Sequence, residues 1–154
     1  MDTELRAARV RLHAAALSLG AVVQFDSEQP LPVLYDAGCR LCRFAARVVA
    51  ELDRGRNLAL LGLDDASADR LLEHVSGEER GSSLRLVLPD GRMISAGAAA
   101  LGVLERLPAT RPLARTATLL HAQRAAEALY AFVARNRDRL GRLVPDGPGP
   151  RRYP

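Results

Sequence analysis

The segment LPVLYDAGCRLC, residues 31–42, is the part of the sequence most informative about the fold, and it contains both cysteines of the chain. Its first five residues, Leu31 to Tyr35, are almost continuously apolar and predict a short buried strand. An amphipathic pattern follows Cys39 and predicts a helix that ends near Asp53, with Gly55 as the left-handed residue after it. The sequence therefore predicts a Cys-x-x-Cys pair at a strand-to-helix junction.

That junction suits thiol–disulfide exchange. The free backbone N–H groups and the macrodipole at a helix N-terminus favour the thiolate of Cys39, and Arg40 adds positive potential. Cys42 lies one turn further along, where it can resolve a mixed disulfide on Cys39. Asp36 precedes Cys39 by three residues, and its carboxylate either relays a proton or closes an Asx-turn.

Three other roles for the cysteine pair are weaker. A structural zinc site needs two further ligands, and His13, His74 and His121 are far apart in the sequence, which leaves a site shared across a dimer. A structural disulfide would close a very short loop and remove little unfolded-state entropy. If the cysteines were only small buried hydrophobic residues, neither the Cys-x-x-Cys spacing nor their position at a helix start would be needed. We therefore expect redox chemistry that needs no metal and no organic cofactor.

Composition favours one globular domain with a substantial core, since the chain has 154 residues, 48% of them hydrophobic and 26% charged. No apolar run is long enough for a membrane span, and no convincing secretory signal is present, so we expect a cytoplasmic protein. The net charge is +4, all 22 lysine-type or arginine-type positions are arginine, and aromatic residues make up 4% of the chain. This pattern is typical of a GC-rich bacterial genome and argues against a nucleic-acid partner. Oligomeric state has no signal in the sequence.

The rest of the chain predicts alternating elements. We expect strands at 57–63, 82–88 and 92–95, a turn at Pro89-Asp90-Gly91-Arg92, and helices from Asp65 to about Val75 and at 97–107, 113–121 and 123–140. This order predicts an α/β, thioredoxin-like fold with a mixed four-stranded sheet flanked by helices. The predicted parts are an N-terminal helix and connector (1–30), the core (31–108), a helical extension packed on it (109–143) and an irregular tail (144–154).

Several motifs resemble those of the DCC family of thiol–disulfide oxidoreductases. They are the Asp-x-x-Cys-x-x-Cys sequence after a strand that ends in tyrosine, the Asp53-Arg54 pair, the Asp-Gly turn before a helix, and the late Ala-Arg-Asn-Arg sequence. The resemblance covers roughly residues 32–141. It implies a thioredoxin-like fold with a helical extension and disulfide exchange with a protein or small-molecule thiol substrate. Arg135, Asn136 and Arg137 are then expected to dock the extension onto the core.

The chain departs from the family pattern in places. Gly97-Ala98-Ala99-Ala100 replaces a Gly-Ser-Asp-Ala sequence, which removes a hydroxyl and a carboxylate that could cap a helix or line the site. Ala37 replaces a glycine, and a final cysteine is absent. Thioredoxin's cis-proline is also missing, so Ser82 and Ser83 take its place. We count Tyr35, Arg40, Ser82 and Ser83 as candidate substrate contacts. A weakly active binding or scaffold protein is the main alternative, and a metal-binding protein is a further one.

Overall fold

A computed structural model of the chain describes residues 29–75, 80 and 83–152. The predicted N-terminal helix, Ser82 and the last two residues of the chain lie outside the described residues. The elements in chain order are β1 (Leu31–Tyr35), α1 (Arg40–Leu52), β2 (Leu58–Gly62), α2 (Ala66–Leu71), β3 (Arg85–Val87), β4 (Met93–Ser95), α3 (Ala96–Arg106), α4 (Arg111–Leu119), α5 (Gln123–Arg135) and α6 (Arg137–Gly141).

The four strands form one mixed sheet in the order β2-β1-β3-β4. The first two are parallel, with Leu31 opposite Leu58 and Tyr35 opposite Gly62. The other neighbouring pairs are antiparallel. Every residue of β1 and β2 is buried, as expected of strands covered on both faces. The sheet and its flanking helices confirm the predicted α/β class and agree with a thioredoxin-like fold.

Alternate side chains of β1 enter two separate cores, because successive residues of a strand point to opposite faces of the sheet. Val33 belongs to the core formed with α1 and α3, whereas Leu34 packs with Ala68 and Leu72 of the α2 region. Helix α1 therefore covers the face of the sheet that also receives Tyr35.

The turn at Gly91 and the start of α2 agree with the sequence prediction. Gly91 has a φ of 80° in the turn between β3 and β4, where Leu88 N–H donates to Arg92 O at 2.8 Å. Asp65 caps α2 by accepting from Ser67 N–H at 2.9 Å. That helix ends at Leu71, earlier than predicted, and a turn continues to Val75.

The end of α1 differs from the prediction in one detail. The left-handed residue is Arg56, with a φ of 51°, and not Gly55. The reason is Asp53, whose fully buried carboxylate accepts from the amides of Asn57 at 3.0 Å and Leu58 at 2.9 Å. These bonds hold the start of β2 against the end of α1. They place the left-handed conformation at Arg56, one residue after the predicted Gly55.

The predicted helix over 123–140 is two helices that meet at Asn136. The Asn136 side chain donates to Phe132 O at 2.8 Å, and its backbone N–H is shared between Phe132 O and Val133 O. An asparagine that bonds to its own preceding turn competes with helix propagation. The interruption separates α6 from α5 and places Arg137 at the start of the new helix.

Residues 144–152, which we call the tail strap, contain no helix or strand and lie along α1. Three arginines of this helix donate to strap carbonyls: Arg40 to Val144, Arg43 to Gly147 and Arg47 to Pro145. Further along, Arg152 N–H donates to Leu60 O of β2 at 3.0 Å. Gly149 passes so close to the Tyr35 ring that a Cβ atom would overlap it, so the strap needs glycine there.

Candidate active site

Cys39 and Cys42 lie at the start of α1, where the sequence places them. Cys39 is the N-cap residue, and its Sγ accepts a hydrogen bond from the backbone N–H of Cys42 at 3.2 Å. Both cysteines are free thiols of intermediate exposure. The capping role that serine or aspartate usually fills is therefore filled by a sulfur atom, so a helix N–H points at the atom that would carry negative charge.

The loop before Cys39 is held by hydrogen bonds from both sides. Asp36 Oδ1 accepts from Gly38 N–H at 2.9 Å, which is the Asx-turn geometry that the sequence allowed. Arg43 Nη1 donates to Ala37 O at 2.7 Å. Arg43 also bonds to the tail strap, so one side chain of α1 connects the cysteine loop to the end of the chain.

The other carboxylate oxygen of Asp36 faces the C-terminal helices. Arg137 Nη1 donates to Asp36 Oδ2 at 3.4 Å, across 101 residues of sequence. Of the three residues expected to dock the extension, Arg137 is thus the one that reaches the cysteine loop. Asn136 forms the break between helices, and Arg135 is exposed to solvent. The break at Asn136 explains how α6 turns toward the loop.

The two thiols differ in their surroundings. Burial raises the pKa of Cys42 to about 12, with further increases from a hydrogen bond to Cys39 and from the negative charges of Cys39 and Asp36. The positive charge of Arg137 acts in the opposite direction. Cys42 is therefore a protonated thiol at neutral pH, whereas Cys39 lies at the open end of the helix.

The candidate substrate contacts are distributed around this pair. Tyr35 is buried, and its hydroxyl donates to Pro150 O of the tail strap at 2.9 Å. Arg40 is exposed, and two of its nitrogens donate to Val144 O at 3.1 and 2.7 Å. Ser83 lines a cavity together with Cys42, and Ser82 lies outside the described residues. The strap thus engages two of these four side chains.

The structure adds three residues that the sequence did not single out. Arg43 braces the cysteine loop, as described above. The Tyr130 hydroxyl accepts from Leu84 N–H at 2.7 Å and lines the cavity beside Cys42. The Glu127 carboxylate accepts from Gly97 N–H at 3.2 Å and Ala98 N–H at 2.8 Å.

Glu127 supplies from α5 the cap that α3 lacks in its own sequence. Ser95, the N-cap residue of α3, makes no side-chain capping bond. The carboxylate missing from the Gly97-Ala98-Ala99-Ala100 segment is thus replaced by one about thirty residues away. Arginine spacing along α1 was the one available sequence signal for Arg43, whereas the contacts of Glu127 and Tyr130 depend on helix packing.

Within the part of the chain that the structure describes, no group of three or more histidine, cysteine, aspartate or glutamate side chains is placed to hold a metal ion. Among the same residues, no helix has the length and apolar character needed to cross a membrane.

The sequence model for the DCC1-like thiol-disulfide oxidoreductase family matches residues 33–143, well over half of the chain. No curated protein and no solved structure matches the chain. The matched range begins within β1 and ends just after α6, so it includes the cysteine loop and the helix that carries Arg137.

Proposed function

The chain belongs to the DCC1-like thiol-disulfide oxidoreductase family, and we propose that Cys39 and Cys42 form the dithiol–disulfide couple through which it acts. The observation that carries this proposal is the capping bond from Cys42 N–H to Cys39 Sγ. It puts both cysteines within one helical turn, with the first sulfur at the positive end of the helix. The substrate is a protein or small-molecule disulfide, and a cytoplasmic location stays a prediction from the sequence.

The unequal surroundings of the thiols support unequal roles. Cys39 is the nucleophile, because it occupies the N-cap and its sulfur receives a backbone N–H. Cys42 is the resolving thiol, because a pKa of about 12 keeps it protonated until the mixed disulfide has formed. Once Cys39 is bonded to the substrate, the contribution of Cys39 to the raised Cys42 pKa is removed, while burial, the largest cause, remains.

The exchange then proceeds in two balanced steps. The Cys39 thiolate attacks one sulfur of a disulfide R–S–S–R′, forming the Cys39–S–S–R bond and releasing R′–S⁻, which takes a proton from water. Cys42 loses its proton and attacks Cys39 Sγ, which releases R–S⁻, and this thiolate also takes a proton from water. The substrate disulfide is reduced to two thiols, and the pair is oxidised to the Cys39–Cys42 disulfide.

Asp36 is the residue we propose as acceptor of the Cys42 proton. Its charge is among the causes of the raised Cys42 pKa, and Asp36 lines the same cavity as Cys42. Its Asx-turn and its ion pair with Arg137 hold it in place without burying it. The structural and catalytic roles left open by the sequence are thus compatible in one side chain.

Trapping experiments test the assignment of roles. The Cys42→Ser variant, mixed with an oxidised substrate such as insulin, is expected to accumulate a mixed disulfide through Cys39 that mass spectrometry detects. The matched Cys39→Ser variant should form no such adduct at neutral pH. Wild-type protein should show a reversible two-thiol couple in a redox titration. Absence of both the adduct and the couple would refute the proposed function, and adducts on Cys42 alone would reverse the roles.

A further inference from the structure

A cavity of about 170 Å³ lies directly beside Cys42, between the sheet, α1 and α5. Its wall is mainly aliphatic and includes Val33, Leu41, Val49, Leu84, Val103 and Val133. These side chains come from separate elements, so the cavity lies between α1, α3, α5 and the sheet. The Cys42 thiol is part of the same wall.

The charged side chains of this wall and the Tyr130 hydroxyl already have hydrogen-bond or ion-pair partners. Asp36 and Arg137 form an ion pair, and the Tyr130 hydroxyl is bonded to Leu84 N–H. A charged ligand group would have to leave water for a wall that is almost entirely apolar. The chemistry of the wall therefore selects an uncharged, apolar group.

The volume of the cavity limits the size of the apolar group that can bind in it. A dry cavity of about 150 Å³ lined by aliphatic side chains is large enough to bind benzene. The cavity beside Cys42 is similar in volume and in lining. It therefore fits one aromatic ring or one branched aliphatic side chain.

We propose that this cavity binds an uncharged apolar group, of the size of one aromatic ring, carried by the disulfide that exchanges with Cys39 and Cys42. The inference rests on the proposed function and adds the substrate class to it. Two sources offer this chemistry: a phenylalanine-like side chain next to the cysteine of a polypeptide, and a small aromatic disulfide. In either case exchange releases two substrate thiols and leaves the Cys39–Cys42 disulfide.

The first test compares two neutral disulfides, the aromatic dithiodipyridine and the aliphatic bis-hydroxyethyl disulfide, as oxidants of the reduced full-length protein. Each rate is divided by the rate with a free peptide of the sequence Gly-Cys-Arg-Leu-Cys, which removes intrinsic reactivity. We expect the normalised rate to favour the aromatic disulfide by about tenfold, as burial of one ring would give. Toluene, which cannot exchange, should slow the aromatic reaction and leave the aliphatic one unchanged.

Variants of the wall give the second test. Ala134→Leu on α5 and Ala45→Leu on α1 should each fill the cavity and abolish the aromatic preference. Ala128→Leu, on an exposed position of α5 outside the wall, is the matched control and should retain it. Far-ultraviolet circular dichroism checks that each variant is folded, and the toluene competition needs no variant at all.

The outcomes separate this inference from the proposed function. If neither disulfide produces the Cys39–Cys42 bond, the proposed function fails. If both produce it without an aromatic preference, or if the preference survives both wall variants and toluene, the function stands and the cavity assignment is wrong. Disulfide-linked peptides Gly-Cys-Phe-Gly and Gly-Cys-Ser-Gly identify the source. A preference for the phenylalanine peptide indicates a polypeptide, and a preference confined to dithiodipyridine indicates a small molecule.

Discussion

Cys42 should be alkylated much more slowly than an ordinary thiol, and the structure supplies the size of the difference. The pKa of Cys42 rises from an ordinary 9.0 to about 12, with burial as the largest cause. At pH 8 this lowers the thiolate fraction of Cys42 by about a thousandfold, since each pKa unit changes it about tenfold. Because the thiolate is the reacting form, iodoacetamide should modify Cys42 slower by a similar factor.

The assay uses the reduced Cys39→Ser variant, so that every alkylated molecule reports on Cys42. Mass spectrometry follows the modification from pH 7 to pH 10, and the same variant unfolded in urea gives the rate of an ordinary thiol. Burial survives the Cys39→Ser change, so we expect the folded rate to stay at least a hundredfold below the unfolded rate, an order-of-magnitude bound. It should also rise with pH without a plateau.

The Cys42→Ser variant is the companion measurement, since it reports on Cys39 in the same folded background. A folded Cys42 rate within a few-fold of the urea rate, or a plateau below pH 10, would refute the argument that burial protects this thiol. The proposed order of attack would then lose its electrostatic basis, because either cysteine could react first.

Three further outcomes follow from contacts in the structure. Asp53→Ala should lower the free energy of unfolding by about 3 kcal/mol in urea titrations, because it leaves the amides of Asn57 and Leu58 without their acceptor; Asp53→Asn, which keeps one oxygen, should lose less. Glu127→Ala should lower the free energy of unfolding by about 1 kcal/mol, because it removes the cap of α3. A loss no larger than that caused by an alanine substitution at an exposed control position would contradict the capping role. The reduced protein should lose stability as pH rises above about 9, because the unfolded chain releases the Cys42 proton there while the folded chain keeps it, whereas Cys42→Ser should lack this component of the pH dependence.

Features that depend on neighbours in the sequence were predicted well. The buried strand Leu31–Tyr35, the helix start at Cys39 and the turn at Gly91 all have the predicted positions. Each follows from a short-range cause: an apolar run, a helical period next to a capping position, or a glycine that accepts a positive φ. The family resemblance rested on the same local motifs and was confirmed.

Errors occurred where a side chain bonds to nearby backbone groups and overrides the apolar pattern, and omissions occurred where distant parts of the chain meet. Gly55 is an adequate left-handed residue by itself, but the buried carboxylate of Asp53 shifts that conformation to Arg56. The helix over 123–140 has a continuous apolar pattern, yet the Asn136 side chain interrupts it. The prolines and glycines of the tail predict an irregular segment. No sequence pattern indicates that the arginines of α1 donate hydrogen bonds to its carbonyl groups.

The position of both cysteines at the start of a helix after a buried strand follows from the sequence, because it depends on residues within one or two turns of each other. The tertiary structure alone decided what surrounds them. It brought Arg137 to Asp36 across 101 residues, partly buried Cys42, and left an apolar cavity between Cys42 and α5. Burial, charge pairing and cavity shape depend on how helix faces meet, and no periodicity along the chain encodes which faces these are.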